Sequence, residues 1–160
     1  MEKPADEQWA DMAWAPWHQF SEVVVASVIP ATPGIYRFRT HDEPTLLYIG
    51  IGGNRRRRLR TLRRWSRKGS NAFVQRPGEK RPFRGHFAAP ALARCEEAGC
   101  VVEVSWSLAT FPDRQERERV ESELIARHLR EAGADPPWQH GGRGIEQYLA
   151  ACRSKGDVDT

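Results

Sequence analysis

Three features are scarce in this sequence: cysteines, long apolar runs, and acidic residues over one long stretch. Only three cysteines occur in 160 residues, and none of them forms a Cys-x-x-Cys pair. This argues against a disulfide framework and offers no spacing for a zinc site, so we expect reduced thiols. The longest apolar run, residues 23–29, is too short to cross a bilayer. The first residues lack the pattern of a secretory signal, so we expect a cytoplasmic protein without a membrane anchor.

The acidic gap is more informative than the overall charge. No Asp or Glu occurs between Glu43 and Glu79, although the formal net charge of the chain is only +4. The gap contains a cluster of basic residues, namely Arg55, Arg56, Arg57, Arg58, Arg60, Arg63, Arg64, Arg67 and Lys68. Positive charge concentrated in this way attracts polyanions such as nucleic acids. Taken alone, the same cluster is also compatible with a solvated helix face.

Hydrophobic periodicity predicts a single α+β domain with a three-stranded, mainly antiparallel sheet flanked by helices. Residues 34–39 and 46–51 read as a hairpin, and residues 100–108 as a third strand. Helices are predicted over residues 7–14, 55–67, 86–99, 115–131 and 145–153. We divide the chain into a Trp-rich extension (1–30), the main domain (31–140), and a short helix with a flexible tail (141–160). The extension could pack on the core or bind a partner.

One carboxylate of the helix over 115–131 is predicted to face inward. The apolar stripe of this helix is Val120, Leu124, Ile125 and Leu129. At about 100° per residue, Glu121 lies at the centre of that stripe, whereas Glu123 points to solvent. An inward carboxylate is costly unless it is paired or binds a metal ion. The residues alone leave both explanations open, a buried ion pair with an arginine or a metal ligand.

Two tripeptides and two later motifs complete the pattern. "GIY" stands at Gly34–Tyr36 and "YIG" at Tyr48–Gly50, at hairpin spacing; "GGNRRRRL" follows the second, and "ERVESELIARH" lies in the long helix. Together these resemble the GIY-YIG nuclease superfamily over residues 30–140. The resemblance implies the GIY-YIG fold and hydrolysis of phosphodiester bonds, in DNA rather than RNA, with one Mg²⁺ or Mn²⁺.

The resemblance also implies roles for individual residues. Glu121 would be the metal ligand, and Arg58 would stabilise negative charge on the phosphate. Either Tyr36 or Tyr48 would act on the attacking water, and the sequence does not decide between them. His86 is a further catalytic candidate, with a surface or capping histidine as the alternative. Substrate contacts are expected from Asn54, Arg55, Arg56, Arg57, Arg60 and Gln139.

Two positions depart from the family pattern. Ile51 stands where many members carry a Lys after the second tripeptide, and Gln139 stands where an Asn often supports the site. A catalytically degenerate nucleic-acid-binding subunit of a larger complex is therefore the alternative function. A double-strand break would require a homodimer or a second event, because one site cuts one strand. A partner protein could supply specificity.

Overall fold

The fold is described from a computed structural model for residues 2–69, 88–139 and 144–158, with side chains up to residue 151. It is α+β, as predicted. Within these residues, no helix is both long and apolar enough to cross a bilayer. The elements in chain order are β1 (Gln8–Trp9), β2 (Met12–Ala13), β3 (His18–Gln19), α1 (Phe20–Val23), β4 (Gly34–Thr40), β5 (Tyr48–Gly52), α2 (Arg55–Ser66), α3 (Ala89–Glu97), β6 (Val102–Trp106), α4 (Arg114–Ala132) and α5 (Ile145–Val158).

The N-terminal segment is a hairpin, and the helix predicted over residues 7–14 is wrong. Strands β1 and β2 pair with Trp9 opposite Met12. The two residues between them, Ala10 and Asp11, have φ of 58° and 57°. Left-handed residues at both central positions are typical of a tight hairpin turn. The three-residue spacing of Trp9 and Met12 suggested a helix, but the two residues are cross-strand neighbours.

The main sheet has four strands where the sequence predicted three. Its order is β3-β6-β4-β5, and every neighbouring pair is antiparallel. The three predicted strands are present as β4, β5 and β6. The fourth, β3, comes from the N-terminal segment and pairs His18 with Val104. The Trp-rich segment packs on the core through Trp9 and Trp14, and binding of a partner by this segment stays a prediction.

Alternation along β4 divides the core between the two faces of the sheet. Tyr36 and Phe38 pack in one cluster with residues of α1, α2 and α3. Ile35 packs in the other with Trp9, Trp14, Ile49, Val120 and Leu124, which come from the N-terminal hairpin, β5 and α4. Arg37 is fully buried, with its guanidinium 4.3 Å from the Trp14 ring centroid. Its Nη2 donates to the Asp6 carbonyl at 2.8 Å, which ties the N-terminal segment to the sheet.

Helix α4 extends beyond both predicted ends by one residue, and Gly133, with φ of 79°, ends it in the left-handed region. Val120 and Leu124 are buried as predicted, but Leu129 is 47% exposed. The neighbouring His128 is buried instead of Leu129. Its Nε2 accepts a hydrogen bond from the Leu46 N–H at 3.1 Å. Helix α5 continues to Val158, through residues that were predicted to form a flexible tail.

Candidate active site

The two tyrosines of the tripeptides lie close together on the hairpin β4–β5. Tyr36 is opposite Gly50 in the register, and Phe38 is opposite Tyr48. The centroids of the two phenol rings are 6.2 Å apart. A Cβ at Gly50 would lie 2.6 Å from Cζ of Tyr36, so glycine is needed where the Tyr36 ring crosses the neighbouring strand. The glycine of the second tripeptide therefore has a packing role.

Helix α2 brings Arg58 to this tyrosine pair. Oδ1 of Asn54 accepts a hydrogen bond from the Arg57 N–H at 3.0 Å and caps the helix. One turn later, the half-buried Arg58 donates a side-chain hydrogen bond to the phenol oxygen of Tyr36. The cap fixes where α2 starts, and the start determines which of four consecutive arginines reaches the tyrosines. A substrate contact by Asn54 itself stays a prediction.

Glu121 faces inward from α4, as the helical periodicity predicted. Its side chain is half-buried, whereas Glu123 is exposed and pairs with Arg119 at 2.7 Å. None of the ion pairs among the described residues includes Glu121. Burial, followed by the charge of Glu118, raises the pKa of Glu121 to about 7, although Arg58 opposes the shift. The ion pair that the sequence left open is therefore not found in the described part of the chain.

A cavity of about 510 Å³ brings these groups together. Its lining comes from β5, the loop after it, α2 and α4, and consists of Tyr48, Ile51, Gly52, Gly53, Arg58, Arg114, Arg117, Glu118 and Glu121. Tyr36 is fully buried and does not line the cavity, but it is hydrogen-bonded to Arg58, which does. Sequence reasoning missed three charged lining residues, Arg114, Arg117 and Glu118. They precede Glu121 by seven, four and three residues, a spacing that places them on the same helix face.

Both phenols are protonated at neutral pH. Burial is the main cause that raises the pKa of Tyr48 to about 12, and the Glu121 carboxylate adds to it. Burial also raises the pKa of Tyr36 well above 10.0, and the Tyr48 phenol is the second cause. Arg58 lowers both values, but it does not outweigh burial. Either tyrosine would need further positive charge nearby to act as a base.

Arg55 lies inside the protein rather than in the cavity. It is 1% exposed, and its Nη1 donates to the Ser107 carbonyl at 2.8 Å. Its Nε donates to the Thr32 carbonyl at 3.1 Å. A Cβ at Gly34 would lie 2.6 Å from Cζ of Arg55, so the first tripeptide needs its glycine to make room for this guanidinium. The structure does not bring Arg55 to a surface where a phosphate could bind.

Arg56, Arg57 and Arg60 lie on the outer side of α2, away from the cavity. Together with Arg64 they form what we call the α2 arginine face, which lines another cavity, of about 460 Å³. Arg56 is held by the Ile29 carbonyl at 2.8 Å, while Arg57, Arg60 and Arg64 are exposed. Ion pairs in the described residues include none of these four side chains. The face is therefore a continuous area of positive charge.

One further predicted site residue, Gln139, does not line the cavity. Gln139 is buried, and its Oε1 accepts a hydrogen bond from the Ile49 N–H at 2.7 Å. This bond covers the open edge of β5, and a substrate contact by Gln139 stays a prediction. His86 lies outside the described residues.

The donor set of the cavity suits one weakly enclosed divalent cation. In the described ranges, no group of three or more His, Cys, Asp or Glu side chains could hold a metal ion. Among the described residues, the carboxylate of Glu121 is in no ion pair, whereas that of Glu118 is paired with Arg114 at 3.0 Å. Mg²⁺ and Mn²⁺ accept such oxygen donors and keep several waters when the protein supplies one or two carboxylates. A cation held by Glu121, water and substrate oxygens fits these residues.

Comparison with known proteins returned no match. No protein-family model matches the chain, and neither a curated protein nor a solved structure matches it. The resemblance to GIY-YIG nucleases therefore stays a prediction from the sequence motifs, and the function that it suggests is proposed below.

Proposed function

We propose that this chain is a GIY-YIG-type endonuclease that hydrolyses phosphodiester bonds, most readily in DNA, with one divalent cation. Tyr48, Arg58 and Glu121 come from three different elements and line one cavity, and Tyr36, from a fourth element, is hydrogen-bonded to Arg58; this convergence supports the proposal. A structural ion-pair network would not explain it, because Glu121 has no ion-pair partner among the described residues. Perturbed carboxyl groups beside a permanent cation in a cleft are typical of catalytic sites.

Glu121 would hold the cation through its carboxylate oxygens. When bound, the cation would stabilise the charge that develops on the leaving oxygen. Arg58 would bind the nonbridging oxygens of the scissile phosphate, since a planar guanidinium stabilises the negative charge that grows in the transition state. Tyr36 would position Arg58 through its hydrogen bond and would not touch the substrate, because its side chain is fully buried. Tyr48, which lines the cavity, would orient the attacking water.

The α2 arginine face would hold phosphates of the same nucleic acid outside the cavity. Arg57, Arg60 and Arg64 follow the helical spacing of three and four residues and so project from one side of α2. Contacts of this kind position a strand without reading its sequence. We expect affinity to fall steeply with salt concentration and to depend little on sequence.

Nicking of supercoiled plasmid tests the proposal. Wild-type protein should nick with Mg²⁺ or Mn²⁺ and not with EDTA, and Glu121→Gln should abolish nicking. Glu123→Gln is the matched control, because this carboxylate lies on the same helix but is exposed and ion-paired. Metal-dependent nicking that survives Glu121→Gln would remove the assignment of the site.

The arginine run supplies a second matched pair. Arg58→Ala should lower kcat by about 100- to 1,000-fold, the usual effect of losing one charge-stabilising group. Arg57→Ala removes the same charge one residue earlier, but from an exposed position, and should mainly weaken binding. Equal losses of kcat in both variants would contradict the proposed role of Arg58.

One observation favours the alternative of a binding subunit without catalysis. Ile51 lines the cavity at the position where many members of the family carry a lysine, so the site has one cationic group fewer. This alternative predicts salt-dependent binding of nucleic acid without metal-dependent nicking.

A further inference from the structure

The candidate cavity contains a buried arginine to which the family resemblance gives no role. Arg117 lies in the first turn of α4, four residues before Glu121, and is 8% exposed. It lines the cavity together with Arg58 and Glu121. Besides Arg58 and the ion-paired Arg114, a third arginine therefore lies in the wall of the cavity that carries Glu121.

The hydrogen bonds of Arg117 use only one side of its guanidinium. Nη1 donates to the carbonyls of Phe111 at 2.8 Å and Pro112 at 2.7 Å, which fixes the side chain. Nε is buried and has no hydrogen-bond partner. A Cβ at Gly53 would lie 3.7 Å from Nη2, so this nitrogen is next to the glycine loop that lines the cavity. The edge formed by Nε and Nη2 remains for a ligand.

A buried donor that makes no hydrogen bond is costly, and more so on a charged group. None of the ion pairs in the described ranges includes Arg117; the nearby Glu118 is paired with Arg114. Nε and Nη2 of an arginine present two parallel N–H groups that match two oxygens of a phosphate. An anion with paired oxygens would supply the partner that this edge of Arg117 lacks.

We propose that Arg117 binds a second phosphate of the substrate strand, next to the phosphate held by Arg58. The strand would cross the cavity between α2 and α4, over Gly52 and Gly53, whose lack of side chains lets a backbone approach. A cavity of about 510 Å³ lies within the roughly 300–1,000 Å³ of sites that hold drug-sized ligands, so it has room for more than one phosphate group. This inference rests on the proposed nuclease function and extends it to the path of the strand.

Binding of a fluorescein-labelled DNA oligonucleotide tests the inference, measured in a Glu121→Gln background so that the probe stays intact. Arg117→Gln should weaken binding by about 10- to 100-fold, the loss expected for a charge-assisted bidentate contact. The slope of log K against log salt should become shallower by about 0.7–0.9, which corresponds to one phosphate contact. Arg119→Gln is the matched control, because Arg119 lies on the same helix, is exposed and does not line this cavity. Its affinity and salt slope should equal those of the background protein.

A second variant separates binding from folding, since Arg117→Gln also removes the bonds to the loop before α4. Gly53→Leu places a side chain beside Nη2 while leaving the Nη1 bonds intact, and the nearest atom to a Cβ there is at an ordinary contact distance of 3.7 Å. It should reduce affinity without a large fall in melting temperature. In nicking assays with otherwise wild-type protein, Arg117→Gln should raise KM more than it lowers kcat, as expected for uniform binding.

The outcomes distinguish the two proposals. If wild-type protein nicks plasmid, but Arg117→Gln and Gly53→Leu leave affinity and salt slope unchanged, the role of Arg117 is overturned and the nuclease proposal stands. A purely structural role of Arg117 predicts a lower melting temperature with an unchanged salt slope, and this too overturns the inference. If wild-type protein neither binds nor cuts nucleic acid, the nuclease proposal fails, and the second phosphate site fails with it.

Discussion

Replacing Glu121 with glutamine should make the metal-free protein more stable at neutral and alkaline pH. The pKa of this carboxyl group is raised from 4.5 to about 7, first by burial and second by Glu118. Glutamine keeps the shape of the side chain but carries no charge that must be buried. A residue placed for catalysis at a cost in stability is expected to behave in this way.

The sign and the size follow from proton linkage. The unfolded chain loses the Glu121 proton near pH 4.5, whereas the folded protein keeps it until about pH 7. Ionisation therefore opposes folding: the cost begins above pH 4.5, grows up to about pH 7 and is constant beyond it. A shift of this size corresponds to about 3 kcal/mol. Because the side chain is only half-buried, solvent screening reduces the expected gain to about 1–2 kcal/mol.

Urea unfolding of wild type, Glu121→Gln and Glu123→Gln between pH 4.5 and pH 8.5, with EDTA present, measures this effect. The Glu121→Gln variant should match wild type at the acidic end and exceed it increasingly toward pH 7. The control should stay within about 0.5 kcal/mol of wild type throughout, as is usual for exposed positions. Adding Mn²⁺ should stabilise wild type and not Glu121→Gln, by about 2.7 kcal/mol when the free ion is a hundredfold above its Kd.

A Glu121→Gln variant less stable than wild type at pH 8 in EDTA would refute the reasoning. That result would mean that the carboxylate is paired with a cationic side chain in the folded protein. The buried ion pair would then be the correct explanation of the inward carboxylate, and its assignment as a metal ligand would lose its basis.

Three further predictions concern packing, pH and backbone strain. Gly50→Ala should destabilise the protein by about 1–3 kcal/mol, measured by urea unfolding, and should lower nicking, because the new methyl group collides with the Tyr36 ring. The pKa of His128 is lowered by burial, so the contribution of this residue to stability is present above about pH 6.5 and is lost as the pH falls below that value. The His128→Asn variant should therefore show a weaker pH dependence of the free energy of unfolding, and an unchanged dependence would contradict this. Ala10→Asn should stabilise the β1–β2 turn by about 0.5–1 kcal/mol, since asparagine tolerates the left-handed backbone better than alanine; a lower melting temperature would count against this reading of the turn.

Local periodicity predicted those parts of the fold that depend on neighbouring residues. The alternation of β4 and the stripe of α4 carry their own signals, and the helical wheel of α4 selected Glu121 over Glu123. Strand β3 was missed because its partner, β6, lies more than eighty residues away along the chain, and two-residue strands have no periodicity of their own. The register of such a pair is set by tertiary packing.

The run of four arginines shows the same limit for the site. Arg55, Arg56, Arg57 and Arg58 are identical in chemistry, but the helix turns them toward the core, the loop before β4, solvent and the cavity, respectively. Composition predicted a polyanion-binding surface, and only Arg58 could be singled out by its motif. Arg117 had no motif, and its buried Nε without a hydrogen-bond partner is visible only in the structure.

The contacts of Arg37 with the N-terminal segment have a practical consequence for how this protein can be truncated. Its guanidinium lies between the rings of Trp14 and Trp17 and donates to the carbonyls of Pro4 and Asp6. A fragment that begins at the first tripeptide would keep every motif residue, yet it would remove the Trp rings and the two backbone carbonyls that contact the buried Arg37 guanidinium, and it would uncover part of one face of the sheet. We therefore expect a fragment without residues 4–30 to fold poorly even though it contains all the motif residues, and expression trials should keep these residues in every fragment.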